Sequence, residues 1–190
     1  MCKDSTDRNA SFTNRERTCM WKFHEWPHQV KVGAVAIGGC TLRDGSTSDA
    51  DQLTALFRRS RAHAMPWLAV SHDEPSTRWW MEYSLLAEQA VRVAHHGGQL
   101  RGFTASTDGW LQHLYVDTDH QGQGIGPMLV EDAQFSCRGS LSLRVFTRNS
   151  HARRFYEAAG FIVAAGSDGS GNDEQEPDLT YIWTGQLPAN

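Results

Sequence analysis

The 190-residue chain has no excess of positive charge, no closely spaced cysteine pair and no long apolar run, and each absence removes a class of protein. The formal net charge is -4, whereas nucleic-acid-binding modules carry a marked basic excess. The same balance gives no strong attraction to an anionic membrane. Cys2, Cys19, Cys40 and Cys137 are scattered, unlike the disulfide framework of a small secreted domain, so reduced thiols in a cytoplasm are expected. Nine histidines show no paired spacing with these cysteines, so no metal site is expected. A membrane span needs about 18 apolar residues, and the nearest run, Val32 to Cys40, is far shorter. It reads as a leader or an edge segment. What remains is ordinary: 39% hydrophobic and 21% charged residues, enough apolar material for one core.

Residues 1–39 are polar over most of their length, without period 2 or 3.6, and read as a poorly ordered extension. One string in it, His24-Glu25-Trp26-Pro27-His28, literally matches the zinc-protease pattern H-E-x-x-H. That chemistry needs both histidines on one helical face, and Pro27 would break the helix.

Residues 40–190 carry regular patterns. Thr41-Leu42-Arg43 reads as a strand, and Ser48-Asp49-Ala50-Asp51 opens a helix with Leu53, Leu56 and Phe57 on one face. That helix stops before Pro66. After a loop through Pro75, a second helix is expected from Thr77 to Gln89. A meander comes next: strands at Ala90–Ala94, Gln99–Ser106 and Trp110–Val116, with turns at Gly97-Gly98 and Asp108-Gly109. On the last strand Leu114 and Val116 share one face, and His113 and Tyr115 the other. The chain then switches to alternation: a helix over Gly126–Ser136, a strand at Leu141–Phe146, a helix over Ala152–Ala159 closed by Gly160, and strands at Phe161–Ala164 and Thr180–Trp183.

Two stretches carry chemistry. Gln121-Gly122-Gln123-Gly124-Ile125-Gly126 lies between a strand and a helix, where glycines admit close backbone approach and free N–H groups suit a pyrophosphate. A P-loop is excluded because Pro127-Met128 stands in place of a Lys-Ser/Thr pair. A dinucleotide fingerprint fails because Pro127 stands at its third glycine. The second stretch runs from Asn149 through Ala152, Phe155, Tyr156 and Glu157 to Gly160-Phe161.

Together these stretches resemble motifs A and B of the GCN5-related N-acetyltransferase (GNAT) family, with Leu114-Tyr115-Val116-Asp117 as the strand before motif A. The resemblance covers about Cys40 to Trp183. It implies an α/β fold: a mixed, mostly antiparallel central sheet with helices on both faces and a splayed strand pair that holds acyl-CoA. It further implies acetyl-CoA as co-substrate and a primary amine of a small molecule or peptide as acceptor, in a monomer or homodimer. Main-chain groups of Leu114, Tyr115 and Val116 would flank the cofactor arm, and an N–H near Leu114 would polarise the thioester carbonyl. Gln121 to Gly126 would hold the pyrophosphate, Asn149 the arm, and Tyr156 would protonate the departing thiolate. Free thiol and phenol pKa values of about 8.5 and 10 are compatible with that transfer.

The general base is less plain. Arg144 stands where some relatives place a glutamate, and His113 is the candidate with a suitable intrinsic pKa. The acidic residues Asp173, Glu174, Glu176 and Asp178 form either a solvated loop or a rim that attracts a cationic amine, and Trp67, Trp79 and Trp80 could line an acceptor pocket. The alternative to catalysis is a sensor or assembly module that binds acyl-CoA without turnover.

Overall fold

A computed structural model describes residues 39–69, 72–137 and 139–185; the H-E-x-x-H string and residues 1–38 lie outside them. Seven strands form one sheet in the order β1-β2-β3-β4-β5-β7-β6. They are β1 Thr41–Asp44, β2 Ala90–His96, β3 Gln99–Thr107, β4 Trp110–Val116, β5 Leu141–Phe146, β6 Ile162–Ser167 and β7 Asp178–Trp183. The helices are α1 Ala50–Ala64, α2 Glu74–Trp80, a short α3 Leu86–Glu88, α4 Ile125–Ser136 and α5 Ser150–Ala158.

The meander β1 to β4 is antiparallel throughout, and so is β5-β7-β6; the two blocks meet at β4 and β5, which run parallel. That meeting is minimal. Trp110↔Ser142 is the single paired position, backed by a Ser142 N–H bond to the Gly109 carbonyl at 2.8 Å. Beyond it the strands part, so the sheet is splayed at the C-terminal ends of β4 and β5.

Helix periodicity decides which face each helix covers. In α1, Leu53, Leu56 and Phe57 at i, i+3, i+4 spacing pack with Met81, Leu85, Val91, Val93, Phe103 and Ala105 on one face of the sheet. On the other face Ile125, Met128 and Leu129 of α4 pack with Cys40 and Ala94. Ala152, Phe155, Tyr156 and Ala159 of α5 join Val130, Leu143, Phe161 and Tyr181. Cys40 is thus a core residue, 2% exposed. Each fully buried large aliphatic contributes about 1.5–3 kcal/mol.

Several boundaries differ from expectation: α5 starts at Ser150 rather than Ala152, β6 runs on to Ser167 rather than ending at Ala164, and β7 starts at Asp178 rather than Thr180. The second helix starts before Pro75, because Asp73 caps it by accepting from the Ser76 N–H at 2.9 Å, and proline is tolerated in a first turn. It then widens into a π-helical turn, Met81–Leu85, before α3. Met81 and Leu85, four residues apart and on one face, both reach the core.

Candidate active site

The site grows from the end of β4. Asp117 donates its N–H to the Arg101 carbonyl at 2.8 Å, which makes Asp117 and Arg101 a bonded antiparallel pair. Alternation along the ladder then turns the main-chain N–H and C=O groups of Leu114 and Val116 away from β3, toward the gap where β5 has departed. The Val116 carbonyl is taken there by Ser60 Oγ at 2.9 Å and Gln121 Nε2 at 3.3 Å. The Val116 N–H and both main-chain groups of Leu114 therefore face the gap without a partner among the described residues.

Asp117 anchors the chain as it leaves β4. Its buried carboxylate meets Arg59 at 2.9 Å and His120 at 3.4 Å, and it caps the tight turn Thr118–His120. Burial alone would raise this carboxyl; bonding to Arg59 and to the Asp119 N–H outweighs it and holds the group below the usual carboxylate range. The chain then enters Gln121–Gly126. Gly122 and Gly124 adopt φ values of 73° and 84°, a left-handed geometry costly for residues with a Cβ. Gly124 is the N-cap of α4 and has no side chain to cap it. No acceptor among the described residues takes an N–H from Gln121 to Gly126, and Pro127 in the first turn has none to offer. These N–H groups and the positive end of a 12-residue helix form an anion cradle.

Across the gap stands α5. Asn149 caps it, Oδ1 accepting from the Ala152 N–H at 3.1 Å, which leaves its Nδ2 donors to reach a cofactor arm. The helix is fastened to the sheet by Tyr181 OH, which donates to Glu157 Oε1 at 2.8 Å, and to α4 by Gln134 Nε2 donating to the Ala159 carbonyl at 3.0 Å. Tyr156 is held edge-on between Phe155 and Phe161, at ring separations of 5.1 and 5.6 Å. Burial, with the Tyr115 phenol adding to it, pushes the Tyr156 pKa well above that of a free phenol. The group keeps its proton through the neutral and mildly alkaline range.

The opposite face of β4 is aromatic. His113 and Tyr115 pack with Phe57 of α1 and Trp80 of α2, at centroid separations of 5.0 to 6.3 Å. Desolvation pushes His113 down to about 4. The imidazole is uncharged at neutral pH and free to accept a proton, though the same burial weakens its hold on one. Arg144, where a carboxylate could have stood, is exposed and lies over the Trp110 ring at 5.2 Å. Of the three tryptophans, Trp80 faces this wall, Trp79 is 62% exposed, and Trp67 stacks under Arg148 at 5.2 Å. Sequence reasoning missed Phe57, Ser60 and Arg61, whose roles depend on α1 lying over the end of β4.

Residues 83–163 match the family model described as an acetyltransferase (GNAT) domain. The chain is 37% identical over 142 residues to the peptidyl-lysine N-acetyltransferase YjaB of Salmonella typhimurium, covering 75% of this chain and 97% of that one. It belongs to the GNAT family. The solution structure of apo YjaB from Escherichia coli superposes with a TM-score of 0.64 at 25% identity, over 75% of this chain and 96% of that one. The PaiA N-acetyltransferase from Thermoplasma acidophilum, solved with coenzyme A, shares the fold at TM-score 0.58 and 18% identity, over 76% and 98% of the two chains. This GNAT chain is an acetyl-CoA-dependent acetyltransferase, and the gap-facing groups of β4 and the free N–H cradle fit a thioester arm and a pyrophosphate.

Proposed function

We propose that the chain transfers the acetyl group of acetyl-CoA directly to a primary amine, with a lysine-type side chain as the leading acceptor. The observation that carries this reading is the splay itself, bounded by unpartnered main-chain donors on β4 and by a buried, protonated phenol on α5. Acetyl-CoA supplies an activated thioester carbonyl. Leu114 N–H, aimed into the gap, would stabilise negative charge developing on that carbonyl oxygen. Gln121 to Gly126 would hold the pyrophosphate through main-chain N–H groups. As the amine nitrogen bonds to the carbonyl carbon and the carbon–sulfur bond breaks, Tyr156 would give its proton to the departing sulfur. The proton lost by the amine would leave through His113 or water. The lysine-type acceptor is supported by YjaB, named a peptidyl-lysine N-acetyltransferase.

The test is titration of the protein with acetyl-CoA in a calorimeter, then measurement of thiol released in the presence of Nα-acetyl-lysine amide and a panel of small primary amines. Saturable binding with amine-dependent thiol release is expected. Binding without release from any amine would favour the sensor reading. No binding to the folded protein would overturn both.

A further inference from the structure

Among the described residues, one ion pair crosses the mouth of the splay. Arg61 Nη2, near the C-terminal end of α1, meets Glu174 Oε1 at 3.1 Å. Arg61 belongs to the half of the molecule packed on β4, since its neighbour Ser60 binds the Val116 carbonyl. Glu174 belongs to the other half: its loop joins β6 to β7, and β7 pairs along β5. The loop also returns to the end of β5, where Thr147 N–H donates to the Pro177 carbonyl at 2.8 Å. The pair therefore lies over the open end of the gap, on the side where Tyr115 meets α1. Both charges are felt at the Tyr115 phenol, which burial pushes up to about 12 while Arg61 opposes and Glu174 reinforces the rise.

Glu174 is held out by a preformed loop. Asn172 Nδ2 donates to the Glu176 carbonyl at 2.8 Å and to Asp178 Oδ2 at 2.9 Å, and its Oδ1 accepts from the Glu176 N–H at 3.2 Å. The loop closes so tightly that a Cβ on Gly169 would stand 2.5 Å from the Glu176 backbone. Of the other nearby carboxylates, Glu157 is engaged by Tyr181, Asp178 by Asn172 and Asp117 by Arg59, whereas those of Asp173 and Glu176 have no partner among the described residues. Glu174 alone among these is paired only with a cation on the far side of the mouth, and both partners are partly exposed, at 17% and 35% for Arg61 and Glu174.

Resting on the acetyl-transfer reading above, we infer that Glu174 is the carboxylate that receives the acceptor's ammonium group, and that Arg61 occupies its place until the acceptor arrives. An incoming alkylammonium takes the guanidinium's place on Glu174, so that carboxylate is never left unpaired, while the displaced Arg61, already partly exposed, turns to solvent. The aromatic wall of Phe57, Trp80 and Tyr115 beneath it suits the methylene chain and the cationic head of such an acceptor. This selects an alkylammonium, as on a lysine side chain, over a neutral or arylamine acceptor.

The test is binding of Nα-acetyl-lysine amide to the protein saturated with CoA, which needs no turnover, with Nα-acetyl-norleucine amide as the uncharged control. Glu174→Gln should weaken the lysine probe by about tenfold, the loss of one partly desolvated ion pair. Arg61→Met should instead tighten it several-fold, because the competitor is gone. Neither substitution should move the norleucine probe or CoA affinity, and Glu174→Asp should recover part of the binding. A pair that merely braces the loop would make both substitutions weaken the lysine probe together. That outcome, no change in either variant, or no binding of the lysine probe to the wild type, would overturn the inference. Failure of acetyl transfer itself would show separately, as acetyl-CoA binding without thiol release.

Discussion

The free edge and one face of β4 recognise by different means. Along the edge that β5 leaves open the strand offers main chain: Leu114 and Val116 turn polar groups into the gap, and Gln121 to Gly126 add a run of N–H donors without side-chain help. Toward α1 and α2 it offers side chains, the rings of His113 and Tyr115 against Phe57 and Trp80, roofed by Arg61 and Glu174. Main-chain recognition requires a particular backbone path and hence particular glycines. Side-chain recognition requires only that suitable groups converge. A cofactor site can therefore stay fixed while the acceptor site is redrawn by substitution.

The largest effect should come from spoiling the backbone path. Gly124→Glu puts a Cβ at φ 84° and a carboxylate against the anion cradle. Strain of about 1–2 kcal/mol adds to charge repulsion, and acetyl-CoA affinity should fall by about 10³-fold in a calorimetric titration. Binding within a few-fold of wild type would mean that the cradle does not hold the pyrophosphate.

Next is Tyr156→Phe. Phenylalanine keeps the packing against Phe155 and Phe161 and removes only the proton donor, so turnover should drop by about 10²-fold while acetyl-CoA binding is unchanged. Because burial holds the phenol protonated, the wild-type rate should show no alkaline fall from this group below about pH 10. A fall in binding equal to the fall in rate would assign Tyr156 to packing.

The acceptor face has a pH signature of its own. His113 titrates at about 4 in the folded chain against a reference of 6.5. Between those values the unfolded chain binds a proton and the folded chain does not, so acid favours unfolding. Stability is full above about pH 6.5 and is lost progressively as pH falls toward 4. From pH 7 to 4.5 the wild type should lose on the order of 2–3 kcal/mol that His113→Phe does not lose, measured by urea denaturation at both pH values. Equal losses would place His113 in contact with water.

The same contrast explains what could be read in the sequence. Strands β4 and β5 and the glycine turn are local patterns and stand where they were expected, whereas α5 starts two residues before the expected Ala152, at Ser150. The π-turn at Met81–Leu85 was not legible, since the i, i+4 spacing of its two buried residues is equally that of an α-helical turn. Nor was Asn149 as the cap of α5, because motif and cap ask for the same residue. The Arg61–Glu174 contact joins positions 113 residues apart, and no local spacing announces it. Glu174 could be suspected from its acidic neighbours; Arg61 could not.

The smallest effect sharpens the boundary of the acceptor face. Trp79 and Trp80 are adjacent, so on a helix they point about 100° apart. Trp80 packs on Phe57 and His113 at 5.5 and 5.3 Å, whereas Trp79 touches Tyr83, itself 57% exposed, at 5.6 Å. Trp79→Ser should change stability by less than about 0.5 kcal/mol and leave the acceptor Michaelis constant unaltered. Trp80→Ser would open the wall itself and raise that constant. A shift in acceptor Michaelis constant on replacing Trp79 would extend the acceptor surface around α2, and the exposed Trp79–Tyr83 pair would then belong to the recognition of a longer acceptor such as a peptide.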